Sequence, residues 1–264
     1  MSSDEFHKVA IISDLHGQFL DKRAFELFLK IYEDNDYDQL IINGDLCDFP
    51  TISRFASKIE TYSPEIWRQW SLDEELDYVE LHILSNLHHL KPDVPIMYRL
   101  GNHETRFMRP TKTNTTAIAE ILETSRRLGK TRLEDMLHLR KYNAVLSYNS
   151  VDVLKNKFAI IHGTWLGKNR CEKLLAEYGM SGTSGHTHKM QCYSRPVYSK
   201  ADITWVESGC LRTITDIEYR EPGSIPAWEQ GFVDVWFSKK GMHIRQHKFR
   251  KDYKYIYQGK LYEG

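Results

Sequence analysis

Val9-Ala10-Ile11-Ile12-Ser13-Asp14-Leu15-His16 is an apolar, β-branched run that delivers a carboxylate and an imidazole, two residues apart, as soon as it ends. A run of that composition reads as a buried strand. Further along, Leu40-Ile41-Ile42 repeats the pattern and stops at Asn43-Gly44-Asp45. Between the two, Asp21 opens a helical stretch with Ala24, Leu27, Phe28 and Ile31 on one face. Strand, helix, strand predicts two parallel neighbours, and strand ends are where an α/β sheet presents its chemistry.

The pattern recurs. Ile96-Met97-Tyr98-Arg99-Leu100 exits into Gly101-Asn102-His103-Glu104, and Phe158-Ala159-Ile160-Ile161 exits into His162-Gly163. A last polar cluster, Gly185-His186-Thr187-His188, follows the helix expected at Arg170 to Tyr178. Residues 49–73, with Pro50, Pro64, Trp67 and Trp70, break the rhythm and read as an insertion beside the site, a candidate lid. Ser71 and Glu74 then form a capping-box signature for a helix carrying Leu76, Val79, Ile83, Leu87 and Leu90, stopped by Pro92 and Pro95. Residues 115–140 read as helical with a break at Gly129, and strand-like runs at 203–206, 232–237 and 242–244 close the chain. No repeat, low-complexity tract or Gly/Ser linker divides residues 1–264, so a single domain is expected.

Lysine plus arginine and aspartate plus glutamate both number 36, so net charge advertises neither a nucleic-acid nor a membrane partner. The balance hides a basic, aromatic C-terminal stretch at 239–264. Lys239, Lys240, Arg245, Lys248, Arg250, Lys251, Lys254 and Lys260 are interleaved there with Phe249, Tyr253, Tyr255 and Tyr257. Such interleaving can track a nucleic-acid strand, but a final strand and tail with one solvated face is the simpler reading. Cys47, Cys171, Cys192 and Cys210 form no C-x-x-C pair, which argues against a structural zinc site or a disulfide framework. With no secretory signal and no apolar run of membrane-spanning length, a cytoplasmic protein is expected.

The clusters carry hard oxygen ligands, neutral imidazoles and one amide. Asp14 and His16 form a pair of ligands for one cation, and Asp45 is the natural carboxylate to bridge two. Asn102, His162, His186 and His188 complete the set. The mixture favours two ions of octahedral preference such as Mn²⁺ or Fe, with Zn, Mg and Ni as alternatives, over a closed tetrahedral zinc. Two such ions can activate a bridging water and clamp phosphate oxygens. His103 follows a ligand without being one and suits protonation of the leaving oxygen. Glu104 is placed to orient that imidazole, and Arg106 and Arg109 to grip a phosphate. Any one of the histidines alone would read as core or surface; the ordered set carries the argument. Asp48 reads as loop support, Cys47 as packing, and His82, His88 and His89 as structural or exposed.

The order D-x-H, G-D-x-x-D, G-N-H-E, H-G, G-H-T-H resembles the calcineurin-like metallophosphoesterase superfamily. Asp48-Phe49-Pro50-Thr51-Ile52-Ser53-Arg54-Phe55 and Trp228-Glu229-Gln230-Gly231-Phe232 look like its small phage- and prophage-type members. The resemblance implies a four-layer α/β/β/α sandwich with a dimetal site at the strand ends. By motif, Asp14, His16, Asp45 and His188 would hold one ion, and Asp45, Asn102, His162 and His186 the other. His103 would take the leaving-group role. Gly44-Asp45-Leu46-Cys47-Asp48-Phe49-Pro50 lacks the arginine of the protein-phosphatase signature, which counts against a protein substrate. The expected function is hydrolysis of a phosphate ester, preferably a phosphodiester of a nucleotide or nucleic-acid end. A DNA nuclease or a phosphomonoesterase is the alternative. A mere binding scaffold has no need of this complete set.

Overall fold

The structure is a computed structural model that describes residues 6–53, 56–65, 70–110, 115–165, 167–196, 202–215, 217–221 and 226–264. Four strands follow one another in parallel: β1 (His7–Ile12), β2 (Gln39–Asn43), β3 (Ile96–Arg99) and β4 (Ala144–Ser147). A second sheet is built from β5 (Asp152–Leu154), β6 (Phe158–Ile161), β7 (Ser181–Ser184), β8 (Cys192–Arg195) and β9 (Ile203–Glu207), in the order β5-β6-β7-β9-β8. The chain then returns to the first sheet. There β10 (Gly231–Phe237) pairs antiparallel with β1, and β11 (Met242–Lys248) forms the edge. A hairpin of β12 (Lys254–Tyr257) and β13 (Lys260–Glu263) ends it.

Three separate cores prove the layering. On β1, Ala10 and Ile12 face one way, into a core with Ala24, Leu27 and Phe28 of the helix Lys22–Asp34. Val9 and Ile11 face the other way, against Phe158 and Ile160 of the second sheet. The outer face of that sheet, with Ala159, Ile161 and Trp205, packs on Cys171, Leu174 and Leu175 of the helix Arg170–Tyr178. Strand alternation thus serves two cores at once, as in any sheet covered on both faces, and the expected helix–sheet–sheet–helix sandwich is present.

Local signals act as their chemistry dictates. Asp21 caps the helix after β1 by accepting from the N–H groups of Arg23 and Ala24, and Ser71 with Glu74 completes a capping box. The helix that follows runs from Leu72–Tyr78 through a π-helical Val79–Leu84 into Ser85–Leu90. In the candidate lid, Pro50–Ile52 and Ala56–Tyr62 are short helical turns; Arg54, Phe55 and Trp67 lie outside the described residues.

The basic C-terminal stretch is not a free tail. Phe249, Tyr257 and Tyr262 are buried in the main core, and the Tyr253 ring lies under Arg23. Its cations are mostly paired: Lys248 with Glu229, Arg250 with Asp252, Lys254 with Glu263 and Lys260 with Asp34. Tyr253 and Tyr255 are half-buried.

At the centre of this region, buried Asp234 accepts from Tyr37, Tyr257 and both arms of Arg245, with His247 at 3.2 Å. Burial alone would raise its pKa, but His247 and Arg245 outweigh that and hold it near 2. Asp234→Ala should therefore cost about 3 kcal/mol or more at pH 7 by orphaning a half-buried arginine. A carboxyl depressed in the fold stabilises above its unfolded pKa near 4 and loses that contribution as pH falls through about 2. The gap between wild type and variant in urea titrations should then shrink between pH 4 and pH 2. A gap independent of pH would show that Asp234 acts by shape rather than charge.

Candidate metal centre

Each expected cluster lies in a loop at the same end of the two sheets. Asp14 and His16 follow β1, Asp45 follows β2, Asn102 and His103 begin the helix Asn102–Met108 after β3, His162 follows β6, and His186 and His188 follow β7. Strand alternation does not align them. Asp14, His16, Asp45, His186 and His188 all have φ between 50° and 74°, so each loop turns through left-handed backbone to aim its side chain inward. For non-glycine residues this is a strained choice found where function demands it.

The geometry resolves into two clusters. In one, His188 Nε2 lies 3.1 Å from Asp14 Oδ1 and 3.1 Å from His16 Nε2, and His16 Nε2 is 3.9 Å from Asp14 Oδ1. In the other, His162 Nε2 lies 3.1 Å from Asp45 Oδ2 and 3.2 Å from Asn102 Oδ1, with His186 close by. Asp45 Oδ2 is also 4.0 Å from His16 Nε2, so it reaches both clusters. The remaining ring nitrogens are spent on orientation. His16 Nδ1 donates to Asp48 Oδ1 at 2.5 Å and His162 Nδ1 to the Asn43 carbonyl at 2.8 Å, leaving Nε2 of each to face inward.

This donor set fits divalent cations. One end of the Asn102 amide lies 2.6 Å from His186 Nδ1 and 3.2 Å from Asp45 Oδ2, where its oxygen could join them around a cation. With the amide turned over, its nitrogen would donate to both and its oxygen would accept from Arg106. Burial lowers the His162 pKa, but the carboxylates of Asp45 and Asp14 outweigh it and hold it at about 9. His186 is pushed down to about 4 by burial and by His162, which outweigh the same two carboxylates. His16 is pushed to about 3 by burial and by Arg212. Positive charge is in demand between Asp14 and Asp45, and two of the surrounding imidazoles are kept neutral as ligands require.

Glycine makes the convergence possible. At Gly44 (φ 84°) a Cβ would sit 2.5 Å from His162 Nδ1 and 2.8 Å from the Gly101 Cα.

His103 stands beside the clusters. Its Nδ1 donates to the Asp48 carbonyl at 2.6 Å and lies 3.3 Å from the Asp48 carboxylate, while Nε2 is 3.8 Å from Asp45 Oδ2. Two expectations need correction. Glu104 does not orient His103: it is fully buried and accepts from the N–H groups of Asp45, Cys47 and Gly101 and from the Tyr98 hydroxyl, so it ties the second and third loops together. Arg109, at the exposed end of its helix, does not line the cleft. Arg106 does, with its guanidinium 3.1 Å from both ring nitrogens of His103. Asp48, expected as loop support, turns its carboxylate to His16 and His103 and forms with them a further group close enough to hold a cation. Cys47 is buried, with burial pushing its thiol pKa well up, in keeping with packing.

Other functional residues carry no motif. Buried Arg170 donates to the carbonyls of His162 and Gly185, clamping two ligand loops. Glu75 accepts from the N–H groups of Asp48 and Phe49, pinning the Asp48 loop from the helix Leu72–Tyr78. The centre opens into a cleft of about 540 Å³ whose walls include Ser53 and Ile59 of the insertion and Lys168, Lys189, Arg212 and Trp228.

Among the described residues, no helix is long and apolar enough to cross a membrane. A family model described as calcineurin-like phosphoesterase matches residues 7–190. The comparison with curated proteins gives no match. Among solved structures, the chain is similar to vacuolar protein sorting 29 from Cryptosporidium parvum, at 13% identity and TM-score 0.45 over 98% of this chain and 95% of that one. It is similar to wild-type Vps29 complexed with Zn²⁺ from Entamoeba histolytica, at 13% identity and TM-score 0.45 over 96% and 95%. A third is a conserved predicted phosphoesterase from Streptococcus pneumoniae, at 12% identity and TM-score 0.39 over 99% and 100%.

Glu104→Gln tests the tie between loops. A carboxylate with two acceptors becomes an amide whose nitrogen must face N–H donors, a loss of about 2–3 kcal/mol. The variant should melt earlier and retain less metal after dialysis, by elemental analysis. Wild-type melting and metal content would remove Glu104 from this role.

Proposed function

Because the chain belongs to the calcineurin-like phosphoesterase family, we propose that it is a metal-dependent hydrolase acting on a phosphodiester of nucleotide size. The observation that carries this reading is the pair of ligand clusters sharing Asp45 at the floor of one cleft. In this reading Asp14, His16, His188 and Asp45 hold one divalent ion, and Asp45, Asn102, His162 and His186 the other. The mixed oxygen and imidazole set suits manganese. When bound, the two ions supply Lewis acidity and a water acidic enough to attack phosphorus at neutral pH.

The protein's own groups do the rest. Backbone N–H groups hold the carboxylates in place: His186 donates to both oxygens of Asp14 and His103 to Asp45 Oδ1. His103 is held by the Asp48 carbonyl with Nδ1 as donor, so a proton on Nε2 exists only in the imidazolium form. In that form Nε2 can protonate a leaving oxygen, with the Asp48 carboxylate 3.3 Å from Nδ1. Arg106 brings its guanidinium against the same ring, available to a phosphate oxygen. The preference for a diester rests on the size of the cleft, about 540 Å³, which is in the range that takes a ligand of nucleotide size.

Asp45→Asn should nearly abolish turnover of bis(4-nitrophenyl) phosphate and lower bound metal by at least one ion per chain. Full occupancy with near-normal rates would show that Asp45 is not shared. His103→Ala should retain metal but slow esters with poor leaving groups most, by about 10² to 10⁴, and nitrophenyl esters less. Equal losses on good and poor leaving groups would reduce His103 to an electrostatic role.

A further inference from the structure

The cleft carries positive charge that neither the ligand clusters nor the fold consumes. Lys168, Lys189 and Arg220 line it, and none makes an ion pair among the described residues, Lys189 meeting the Glu207 carboxylate only at longer range. The carboxylates of the cleft are already committed. Asp45 belongs to the ligand clusters, Asp48 serves His16 and His103, and Glu207 accepts from Thr187 at 2.7 Å and faces Arg170 at 3.5 Å. Cations elsewhere behave differently: those of the C-terminal hairpin find acidic partners, as described above.

A buried neighbour points the same way. Arg212, 1% exposed at its side chain, gives Nη2 to Glu218 at 2.6 Å and Nε to the Thr213 carbonyl, while Nη1 has no hydrogen-bond partner and borders the cleft. Its nearest acceptor, Asp48 Oδ1, is 3.8 Å away. The guanidinium groups of Arg212 and Arg220 lie 5.2 and 5.6 Å from the Trp228 ring, which holds Arg220 at the wall rather than in bulk water.

A single phosphodiester carries one negative charge, and two divalent ions with Arg106 already exceed it. We propose that the substrate carries a second phosphate beside the scissile one, held by Lys168, Lys189 and Arg220, as in two nucleosides joined through a pyrophosphate. The inference rests on the hydrolase reading above. In such a substrate the oxygen of water bonds to one phosphorus. The bridging P–O bond, an anhydride in place of the ester bond of a simple diester, breaks with its electron pair staying on the other phosphate. One proton of the water ends on each of the two nucleoside monophosphates that result.

The test compares a pair matched in their nucleosides but joined through one phosphate or two, adenylyl-(3′→5′)-adenosine and diadenosine diphosphate, with bis(4-nitrophenyl) phosphate as a check on turnover. An anhydride is intrinsically the easier bond to break, so the lysine variants decide whether the preference comes from the cleft wall. Manganese-loaded wild type should favour the pyrophosphate by at least about tenfold in kcat/KM, the worth of a charge-assisted contact. Lys168→Ala with Lys189→Ala should erase at least about tenfold of that ratio, mainly through KM, and Lys→Arg at both positions should keep it. Binding of ADP measured by calorimetry should weaken in parallel. Both lysines sit at or near the surface, and circular dichroism checks that the variants fold. Equal kcat/KM for the matched pair, a preference for the single phosphate, or an unchanged ratio in the double variant would overturn the proposal. If wild type turns over none of the three, the hydrolase reading itself fails and takes this inference with it.

Discussion

Two carboxylates, Asp14 and Asp45, are buried side by side, and the rest of the site exists to make that tolerable. Desolvation alone would keep such groups neutral. The protein instead surrounds them with donors. Asp14 accepts from the Ser13 hydroxyl and the His186 N–H, Asp45 from the His103 N–H, and His162 lies 3.1 Å from Asp45 Oδ2 and within the field of Asp14. Each donor comes from a different loop, so the charge pair can be held only when all the loops are in register. The left-handed backbone at five inward-facing residues is the conformational cost of that register.

Register is transmitted by buried polar bonds that cross between sheets. The Asn43 side chain donates to the Ile161 carbonyl while its own carbonyl accepts from His162 Nδ1, so β2 and β6 are stitched at the point where both hand over their ligands. Arg170 repeats the device one layer out, bonding the carbonyls of His162 and Gly185. Glu104 does it within the first sheet. None of these residues points at substrate, yet each fixes where an imidazole or carboxylate points. That explains why so much buried charge is found outside the ligand set.

Sequence made the first half of this visible and hid part of the second. β1, β2, β3 and β6 are apolar runs, because both of their faces are buried in hydrocarbon, and periodicity finds them. The strand that carries His186 and His188 escapes that test. β7 is Ser-Gly-Thr-Ser, fully buried but with no apolar residue, because Gly182 leaves its face open for Trp205 and Ser184 accepts from the indole N–H. The ligand motifs themselves were legible because their spacing is set by loop chemistry. Glu104 was misread for the opposite reason: adjacency in sequence suggested His103 as its partner, whereas the helix turns its carboxylate back onto the N–H groups of Gly101, Asp45 and Cys47. The hairpin β12–β13 was hidden by its composition, since lysines alternating with tyrosines describe a solvated strand equally well.

Net charge proves to be the wrong quantity for judging partners here. A sum of zero and a basic terminus pointed in different directions, and both were averages over groups in unlike situations. Pairing discriminates between them. A lysine facing a carboxylate at the surface is electrostatically quenched and adds little to stability or to recognition. The same cation on the wall of a cleft, with every nearby carboxylate engaged by another donor, keeps its field and acts in a space where water screens it less. By that measure the C-terminal stretch 239–264, whose cations mostly face carboxylates, has less to offer a partner than the few cations at the mouth of the metal centre.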